Sequence, residues 1–162
     1  MILANKNIYA VIMAGGTGTR LWPLSRENSP KQMLKIIGDD TMIRQTIKRL
    51  HGFVPNENIF IVTNEKQAFD LNLHLEKLKK GKDVFKIIEE PFGRNTALAI
   101  GFAAIYLKKI SSNSIMIILP ADHSITNGKA FINVLKKAIQ SAEKGNLVTL
   151  GVKPARPETG YG

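Results

Sequence analysis

Short apolar runs alternate along this chain with segments in which apolar residues recur at helical spacing. The apolar runs predict β-strands over residues 8–13, 59–62, 84–88, 115–119 and 147–152. The segments between them predict helices over residues 41–50, 66–78, 96–109 and 129–144. Strands that alternate with helices in this way are typical of an α/β fold with a mostly parallel sheet and helices on both faces.

The loops that follow the predicted strands are the natural place for a ligand. In an open parallel sheet, ligands bind in the crevice beyond the carboxyl ends of the strands. The loops at residues 14–31, 89–96 and 120–126 all follow predicted strands, so they share that edge. We therefore expect the functional site to be built from these three loops.

Composition narrows the class of protein. The chain has 162 residues, of which 44% are hydrophobic, and this is enough for one domain with a real core. It has no cysteine, which excludes a disulfide framework, a thiolate nucleophile and a Cys-ligated zinc. The apolar run at residues 8–14 ends in glycines and not in a signal cleavage site, and no run approaches the ~20 apolar residues of a membrane span. We expect a cytoplasmic domain without a membrane partner.

The formal net charge of +10 favours a polyanionic partner. Many lysines, however, lie in predicted amphipathic helices, where a solvated helix face is the alternative: Lys77, Lys79, Lys80, Lys82, Lys108, Lys109, Lys136 and Lys137. Only 7% of the residues are aromatic, and no strand combines aromatic and basic residues as RNA-binding sheets do. We therefore expect no nucleic-acid partner and favour a small, phosphate-rich substrate, which needs only a few cations.

A glycine-rich loop follows the first predicted strand. The dinucleotide pattern needs glycine at position 21, where Leu21 stands, and the Gly-Lys-Ser/Thr ending of a P-loop is missing. Glycines still let backbone N–H groups approach phosphate oxygens, and an arginine adds a forked cation. The candidate phosphate-binding residues are Ala14, Gly15, Gly16, Gly18, Thr19 and Arg20, with a simple tight turn as the alternative.

The loop continues with further basic residues. Arg26 and Lys31 join Arg20, and a long glycine-rich loop with several cations suits a triphosphate better than a pyrophosphate held at a helix start. Three hydrophobic residues within the loop, Trp22, Pro23 and Leu24, are expected to pack and hold it in place.

The other two loops carry acidic and polar groups. Asp122 follows the most apolar predicted strand, where a carboxylate can hold Mg²⁺ together with substrate phosphates, or alternatively cap a turn. His123 is expected to hydrogen-bond and hold this loop, because Mg²⁺ disfavours imidazole. In the remaining loop, Asn95 and Thr96 are acceptable helix N-caps, or the turn presents polar groups to a base.

Together, five segments resemble the sugar-1-phosphate nucleotidyltransferases, and among them the mannose-1-phosphate guanylyltransferases. The segments occur in the order found in that family and span the chain: residues 14–26, 30–32, 90–97, 119–123 and 157–162. The resemblance implies a Rossmann-like fold of the nucleotide-diphospho-sugar transferase type. It also implies transfer of GMP from GTP to mannose 1-phosphate, which gives GDP-mannose and pyrophosphate, with Mg²⁺ as cofactor.

The resemblance also implies roles for individual residues. Arg20 would steady the β- and γ-phosphates, and Lys31 would bridge the α-phosphate and the incoming sugar phosphate. Asp122 would hold Mg²⁺. The glycine loop would approach the nucleotide, and the turn formed by Glu90, Gly93, Arg94, Asn95 and Thr96 would border the guanine.

The sugar-binding residues and a second acidic Mg²⁺ ligand of that family lie beyond Gly162. We therefore expect residues 1–162 to be the nucleotide-binding portion of a catalytic domain that is incomplete at its C-terminus, and inactive or weakly active alone. The alternatives are a nucleotidyltransferase for another nucleotide or sugar 1-phosphate, and a non-catalytic nucleotide-binding fragment. The sequence does not determine the oligomeric state, and a homo-oligomer is one alternative.

Overall fold

The computed structural model describes residues 7–16, 18, 21–26, 29–76, 85–90 and 95–154, except for the side chain of residue 95. Within these ranges there are four strands, β1 (Ile8–Met13), β2 (Ile59–Asn64), β3 (Lys86–Glu90) and β4 (Ile115–Pro120). All pair in parallel, in the order β3-β2-β1-β4. In the register of the central strand, Ala10 lies opposite Ile59 on one side and Ile117 on the other.

The helices cover both faces of the sheet. They are α1 (Met42–Leu50), α2 (Glu65–Glu76), α3 (Asn95–Ile110) and α4 (Gly128–Ala142), with short 3₁₀ turns at Lys31–Met33 and Asn56–Asn58. Because side chains alternate along a strand, Ile8, Ala10 and Ile12 face α1, α2 and α4 on one side. Tyr9 and Val11 face α3 on the other. The two central strands, β1 and β2, are thus buried on both faces, which explains their nearly continuous apolar sequence, whereas the edge strands β3 and β4 are partly exposed.

These elements confirm the predicted α/β architecture, with helix and strand ends within a few residues of those expected. The third strand begins at Lys86 and not at residue 84, and its last residue is Glu90. This shift brings Glu90 to the carboxyl edge of the sheet, beside the end of β2.

The strand predicted over residues 147–152 is wrong. Residues 146–154 have no regular secondary structure, and Leu147 and Val152 are 103% and 90% exposed. Apolar alternation supplies only a face to bury, whereas a strand also needs a neighbour that pairs with its backbone N–H and C=O groups. No strand in the described part of the chain pairs with this segment.

The lysines of the described helices lie on solvated faces, as the alternative interpretation of the charge proposes. Lys108, Lys109, Lys136 and Lys137 are all exposed, and the four lysines between residues 77 and 82 lie outside the described residues. Within the described ranges, no helix combines the length and the apolar character needed to cross a bilayer.

Candidate functional site

A pocket opens at the carboxyl edge of the sheet, between the ends of β1 and β4. It is lined by residues from the end of β1, the glycine loop, the 3₁₀ turn and the loop after β4: Met13, Ala14, Gly16, Gly18, Lys31, Gln32, Ala121 and Asp122. Five of these are residues for which the sequence predicts a site: Ala14, Gly16, Gly18, Lys31 and Asp122. The fold therefore brings the first and third predicted loops to one place.

The charged centre of the pocket is the ion pair between Lys31 and Asp122. Lys31 Nζ lies 2.9 Å from Asp122 Oδ2, and the two side chains are 31% and 40% exposed. An ion pair this accessible to water contributes only about 0–1 kcal/mol to stability. Its contribution to folding is therefore small, and an anionic ligand can recruit the lysine at little cost.

Gly18 fixes how the glycine loop approaches Lys31. Its φ of +68° lies in the left-handed region, and a Cβ added here would lie 2.8 Å from Lys31 Cβ and 3.1 Å from the Lys31 backbone nitrogen. Neither atom can move without the backbone. Glycine is therefore required at this position for conformation and for space.

The prediction that Trp22, Pro23 and Leu24 pack to hold the loop is wrong. All three are exposed, Trp22 and Leu24 by 77% and 67%. Polar contacts hold the loop instead: the buried Ser25 hydroxyl donates to the Gly18 carbonyl, and the Ser25 and Leu24 amides both donate to Leu21 O. A serine that satisfies backbone groups stabilises this turn without a hydrophobic anchor.

On the other side of the loop, the backbone passes close to Glu90. Glu90 is buried, with 7% of its surface exposed, and its Oε1 would lie 2.9 Å from a Cβ added at Gly15. Burial raises the pKa of the Glu90 carboxyl above its ordinary value, because the charged form loses hydration. Glycine at position 15 thus lets the loop approach this carboxyl group closely.

The wild-type chain is expected to lose stability as the pH rises, because of Glu90, and Glu90→Gln is expected to abolish this loss. A carboxyl group whose pKa is raised on folding binds more protons in the folded state than in the unfolded state. This difference exists in a pH window that begins near the ordinary pKa of the group, 4.5, and extends upward. Its contribution to the free energy of unfolding therefore falls as the pH rises through that window. Urea denaturation of both proteins from pH 4.5 to 8 should show the wild type losing stability relative to Glu90→Gln.

Glu89→Gln is the matched control, because Glu89 is the exposed neighbour on the same strand. Its stability should follow the wild type across the same pH range. If Glu90→Gln and Glu89→Gln give parallel curves, the burial of Glu90 has no energetic consequence.

The loop after β4 is attached to α1. Arg49 Nη2 donates to the backbone carbonyl of His123 at 3.1 Å, and the Arg49 guanidinium lies 5.9 Å from the centre of the Phe131 ring. Thr46 Oγ1 lies 3.4 Å from the carbonyl of Ala121. These contacts hold both neighbours of Asp122. The His123 side chain, which the sequence predicts to hydrogen-bond and hold this loop, is exposed, and it is the backbone carbonyl of His123 that accepts the bond from Arg49.

The remaining predicted site residues are not in the pocket or lie outside the described part. Thr19, Arg20, Gly93 and Arg94 lie outside the described residues. Asn95 and Thr96 form the first turn of α3, so the helix begins at or before both of them and neither occupies an N-cap. Arg26 is exposed and bridges to Ser29 through its backbone.

The donor set fits Mg²⁺ held jointly by protein and substrate. Among the described residues, there is no cluster of three or more His, Asp or Glu side chains that could bind a metal ion. Asp122, however, presents a partly exposed carboxylate to the pocket. Mg²⁺ commonly takes one or two carboxylates and completes its shell with water and substrate phosphates.

Sequence reasoning assigned no role to several residues that shape the site. Gln32, Ser25 and Arg49 all bond to backbone carbonyls of the loops that line the pocket. Local sequence carries no signal for such contacts, because the partner carbonyls are specified by the fold and not by residue type.

The family model and the similar proteins agree with one another. Residues 9–162 match the nucleotidyl transferase family. The chain is 48% identical over 154 residues to a mannose-1-phosphate guanylyltransferase of Escherichia coli, covering 94% of this chain and 32% of that protein. It is 45% identical over 152 residues to the alginate biosynthesis protein AlgA of Pseudomonas aeruginosa, covering 94% of this chain and 31% of that protein.

A solved structure shares the fold. The crystal structure described as a mannose-1-phosphate geranyltransferase from Thermus thermophilus superimposes with a TM-score of 0.80 at 34% identity, covering 94% of this chain and 43% of that one. The chain thus spans about a third of the length of the two relatives it matches in sequence.

Proposed function

This chain belongs to the nucleotidyl transferase family, and we propose that it is the GTP-binding part of an enzyme that transfers GMP from GTP to mannose 1-phosphate. The observation that carries the proposal is the Lys31–Asp122 pair beside a glycine loop at the carboxyl edge of the sheet. A cation, a carboxylate and accessible backbone in one pocket suit a nucleoside triphosphate. The name of the 48% identical relative supports guanine and mannose as the two specificities.

In the proposed reaction, a phosphate oxygen of mannose 1-phosphate attacks the α-phosphorus of GTP. The bond from that phosphorus to the bridging oxygen breaks, and pyrophosphate leaves. Such transfers need positioning and charge neutralisation more than covalent chemistry from the protein. Lys31 supplies a positive charge where the α-phosphate and the sugar phosphate meet, which lowers the repulsion between two anions.

Asp122 would hold Mg²⁺ together with phosphate oxygens. The ion, when bound, neutralises phosphate charge and polarises the reacting phosphate. Asp122 also pairs with Lys31 across the pocket, so the same carboxylate keeps the lysine directed at the site before the nucleotide arrives.

Asp122→Asn is expected to weaken GTP binding in the presence of Mg²⁺ but not in its absence. Without Mg²⁺ the variant should bind GTP as well as the wild type or better, since a negative charge near the phosphates is removed. With Mg²⁺ it should bind about tenfold more weakly, the value of one charged contact. Isothermal titration with GTP, with Mg²⁺ or with EDTA, measures both.

Asp39→Asn serves as the control, because Asp39 is an exposed aspartate outside the pocket. It should leave both affinities unchanged. Equal gains in affinity from Mg²⁺ in the wild type and in Asp122→Asn would remove Asp122 from the proposed metal site.

The glycine loop and its arginine would hold the rest of the triphosphate. In the proposal, Arg20 steadies the β- and γ-phosphates, and backbone N–H groups of the loop approach the nucleotide. Gly16 has open space beside it, while Gly15 and Gly18 let the loop pass close to Glu90 and Lys31. Thr19 and the turn at residues 93–96 complete the proposed nucleotide site.

The buried Glu90 carboxyl is the group best suited to read guanine. It lies at the end of β3, two strands from the strand that carries the glycine loop, whereas Asp122 lies beyond the opposite neighbour of that strand. A nucleotide lying along this edge therefore places its base and its phosphates at different ends. Guanine offers two adjacent donor groups, N1–H and the N2 amino group, and a carboxylate only accepts hydrogen bonds.

Glu90→Gln is expected to reduce the preference for GTP over ATP by about tenfold or more, since a bidentate contact to a base gives roughly 1–3 kcal/mol of discrimination. An amide presents one acceptor and one donor, and so it cannot accept from both guanine groups. The measurement is the ratio of the Kd values for ATP and GTP. Glu89→Gln should keep the wild-type ratio, and an unchanged ratio in Glu90→Gln would assign guanine recognition to another group.

A substrate panel tests the proposal as a whole. GTP, ATP, UTP and dTTP are titrated with and without Mg²⁺, and formation of GDP-mannose is followed with mannose 1-phosphate or glucose 1-phosphate as acceptor. We expect the tightest binding for GTP with Mg²⁺. Preference for another nucleotide would redirect the proposal within the family, whereas GTP binding without GDP-mannose formation favours a nucleotide-binding chain that does not catalyse alone.

A further inference from the structure

A pair of buried glutamine amides lies directly beneath the glycine loop. Gln32 and Gln67 are 4% and 8% exposed. Gln32 Nε2 donates to the carbonyl of Ala14 at 2.5 Å and to Gln67 Oε1 at 3.0 Å. Thr63 Oγ1 lies 3.3 Å from the Ala14 carbonyl oxygen and 3.4 Å from Gln67 Oε1, so its hydroxyl is within hydrogen-bonding distance of both oxygens that Gln32 contacts.

These contacts set the direction in which the loop presents its backbone. Asn64 Nδ2 also donates to the carbonyl of Gly15, at 3.2 Å. In a trans peptide the C=O and the following N–H point in opposite directions. Because side chains beneath the loop hold the Ala14 and Gly15 carbonyls, the N–H groups of Gly15 and Gly16 are turned away from those side chains, towards the open side of the loop.

The rigid start of α2 determines where Gln67 lies. The Gln67 backbone N–H donates to Asn64 Oδ1 at 3.0 Å, which is the usual helix-capping contact. A glutamine at this third helical position commonly folds back onto the N-cap backbone. Here its side chain instead extends to Gln32, so the first turn of α2 is connected to the loop through a side-chain amide.

We propose that Gln67 is a positioning residue for nucleotide binding. It acts through Gln32: its amide oxygen accepts one N–H of Gln32 and thereby directs the other to the Ala14 carbonyl. Gln32 follows Lys31 in the same 3₁₀ turn, so the contact also fixes the segment that carries the pocket cation. This inference rests on the proposed function, since it concerns how the loop is prepared for a nucleoside triphosphate.

The test is a double-mutant cycle on GTP affinity in the presence of Mg²⁺. Gln67→Met keeps the length of the side chain and removes the acceptor, and Gln32→Met removes the donor. Gln67→Met alone is expected to weaken GTP binding about tenfold, whereas in the Gln32→Met background it should weaken it less than about twofold, because contacting residues are not additive. Gln45→Met is the matched control: Gln45 also donates to backbone carbonyls, those of Ile37 and Asp40, but it lies outside the pocket.

A second measurement needs no ligand. Amide hydrogen exchange at Ala14, whose N–H donates to the Val62 carbonyl at 2.7 Å, should accelerate in Gln67→Met while the amides within β2 keep their wild-type protection, whereas general destabilisation would accelerate both.

The outcomes distinguish the proposed nucleotide-binding function from the positioning role of Gln67. A wild-type chain that binds no nucleotide, but whose Ala14 exchange responds to Gln67→Met, overturns the proposed function and supports the positioning of the loop by Gln67. Wild-type GTP binding that Gln67→Met leaves within twofold, or weakens equally in both backgrounds, overturns the role of Gln67.

Discussion

Lys31→Met is expected to weaken GTP binding by about tenfold to a hundredfold, because a charge-assisted contact contributes roughly 1.5–3 kcal/mol. The lysine is the described cation that lines the pocket, and its Nζ lies 2.9 Å from Asp122 Oδ2. Its removal eliminates an attraction for phosphate and also leaves the Asp122 carboxylate without its partner, facing the incoming anion. Titration calorimetry with GTP measures the loss.

Two further variants make this result specific. Lys35→Met removes an exposed lysine four residues later in the sequence and should leave GTP affinity unchanged. Adding Asp122→Asn to Lys31→Met should recover part of the affinity in EDTA, since the unpaired carboxylate is then neutral. A loss in Lys31→Met no greater than in Lys35→Met would mean that Lys31 contributes only general positive charge.

Gly18→Ala is expected to destabilise the chain by about 2–4 kcal/mol, combining the cost of a side chain in the left-handed region with that of overpacking. The added Cβ would lie 2.8 Å from Lys31 Cβ, 3.1 Å from the Lys31 backbone nitrogen and 3.3 Å from Ser25 Cβ. The loop or the 3₁₀ turn must therefore shift, and either movement displaces the pocket lysine. Urea denaturation should show a lower midpoint, and GTP binding should weaken as well.

Gly16→Ala provides the comparison within the same loop. No atom lies within 4 Å of a Cβ added at Gly16, so this variant should stay within about 0.5 kcal/mol of the wild type. Gly15→Ala is intermediate, because the one overlapping contact of its Cβ is with the end of the Glu90 side chain, while Asn64 N and Thr63 Cα lie at ordinary contact distances of 3.7 and 3.8 Å. Similar midpoints for the Gly18 and Gly16 variants would show that the loop adapts and that the conformation at Gly18 is not required.

The two sides of the glycine loop have different chemistry. One side faces Lys31 and Asp122, both partly exposed and charged. The other faces the buried Glu90, whose pKa is raised by burial. In the proposed nucleotide site, the phosphates would lie on the side of Lys31 and Asp122 and the base on the side of Glu90.

Much of the fold followed from local pattern. Strands such as Ile8–Met13 and Ile115–Pro120 are short, apolar and bounded by polar residues or glycines, and the helices between them are long enough for their periodicity to be clear. The order of elements then determines a parallel sheet and places the three loops on one edge. The segment at 147–152 has the same local pattern and forms no strand, because strand formation also depends on a partner for pairing.

Residue order alone was enough to predict the fold class, which the structure confirms, together with the sheet edge of the candidate site and the residue types available there: glycines, Lys31, Glu90 and Asp122. Which of them meet became clear from the folded arrangement, which joins Lys31 to Asp122 and Glu90 to Gly15. The fold also exposes Trp22, which local hydrophobicity predicts to be packed. The reason is that periodicity indicates which face of a helix or strand is buried. Contacts between distant loops depend instead on how the parallel strands align. They also depend on which backbone carbonyls are left to accept hydrogen bonds from side chains such as Gln32 and Arg49.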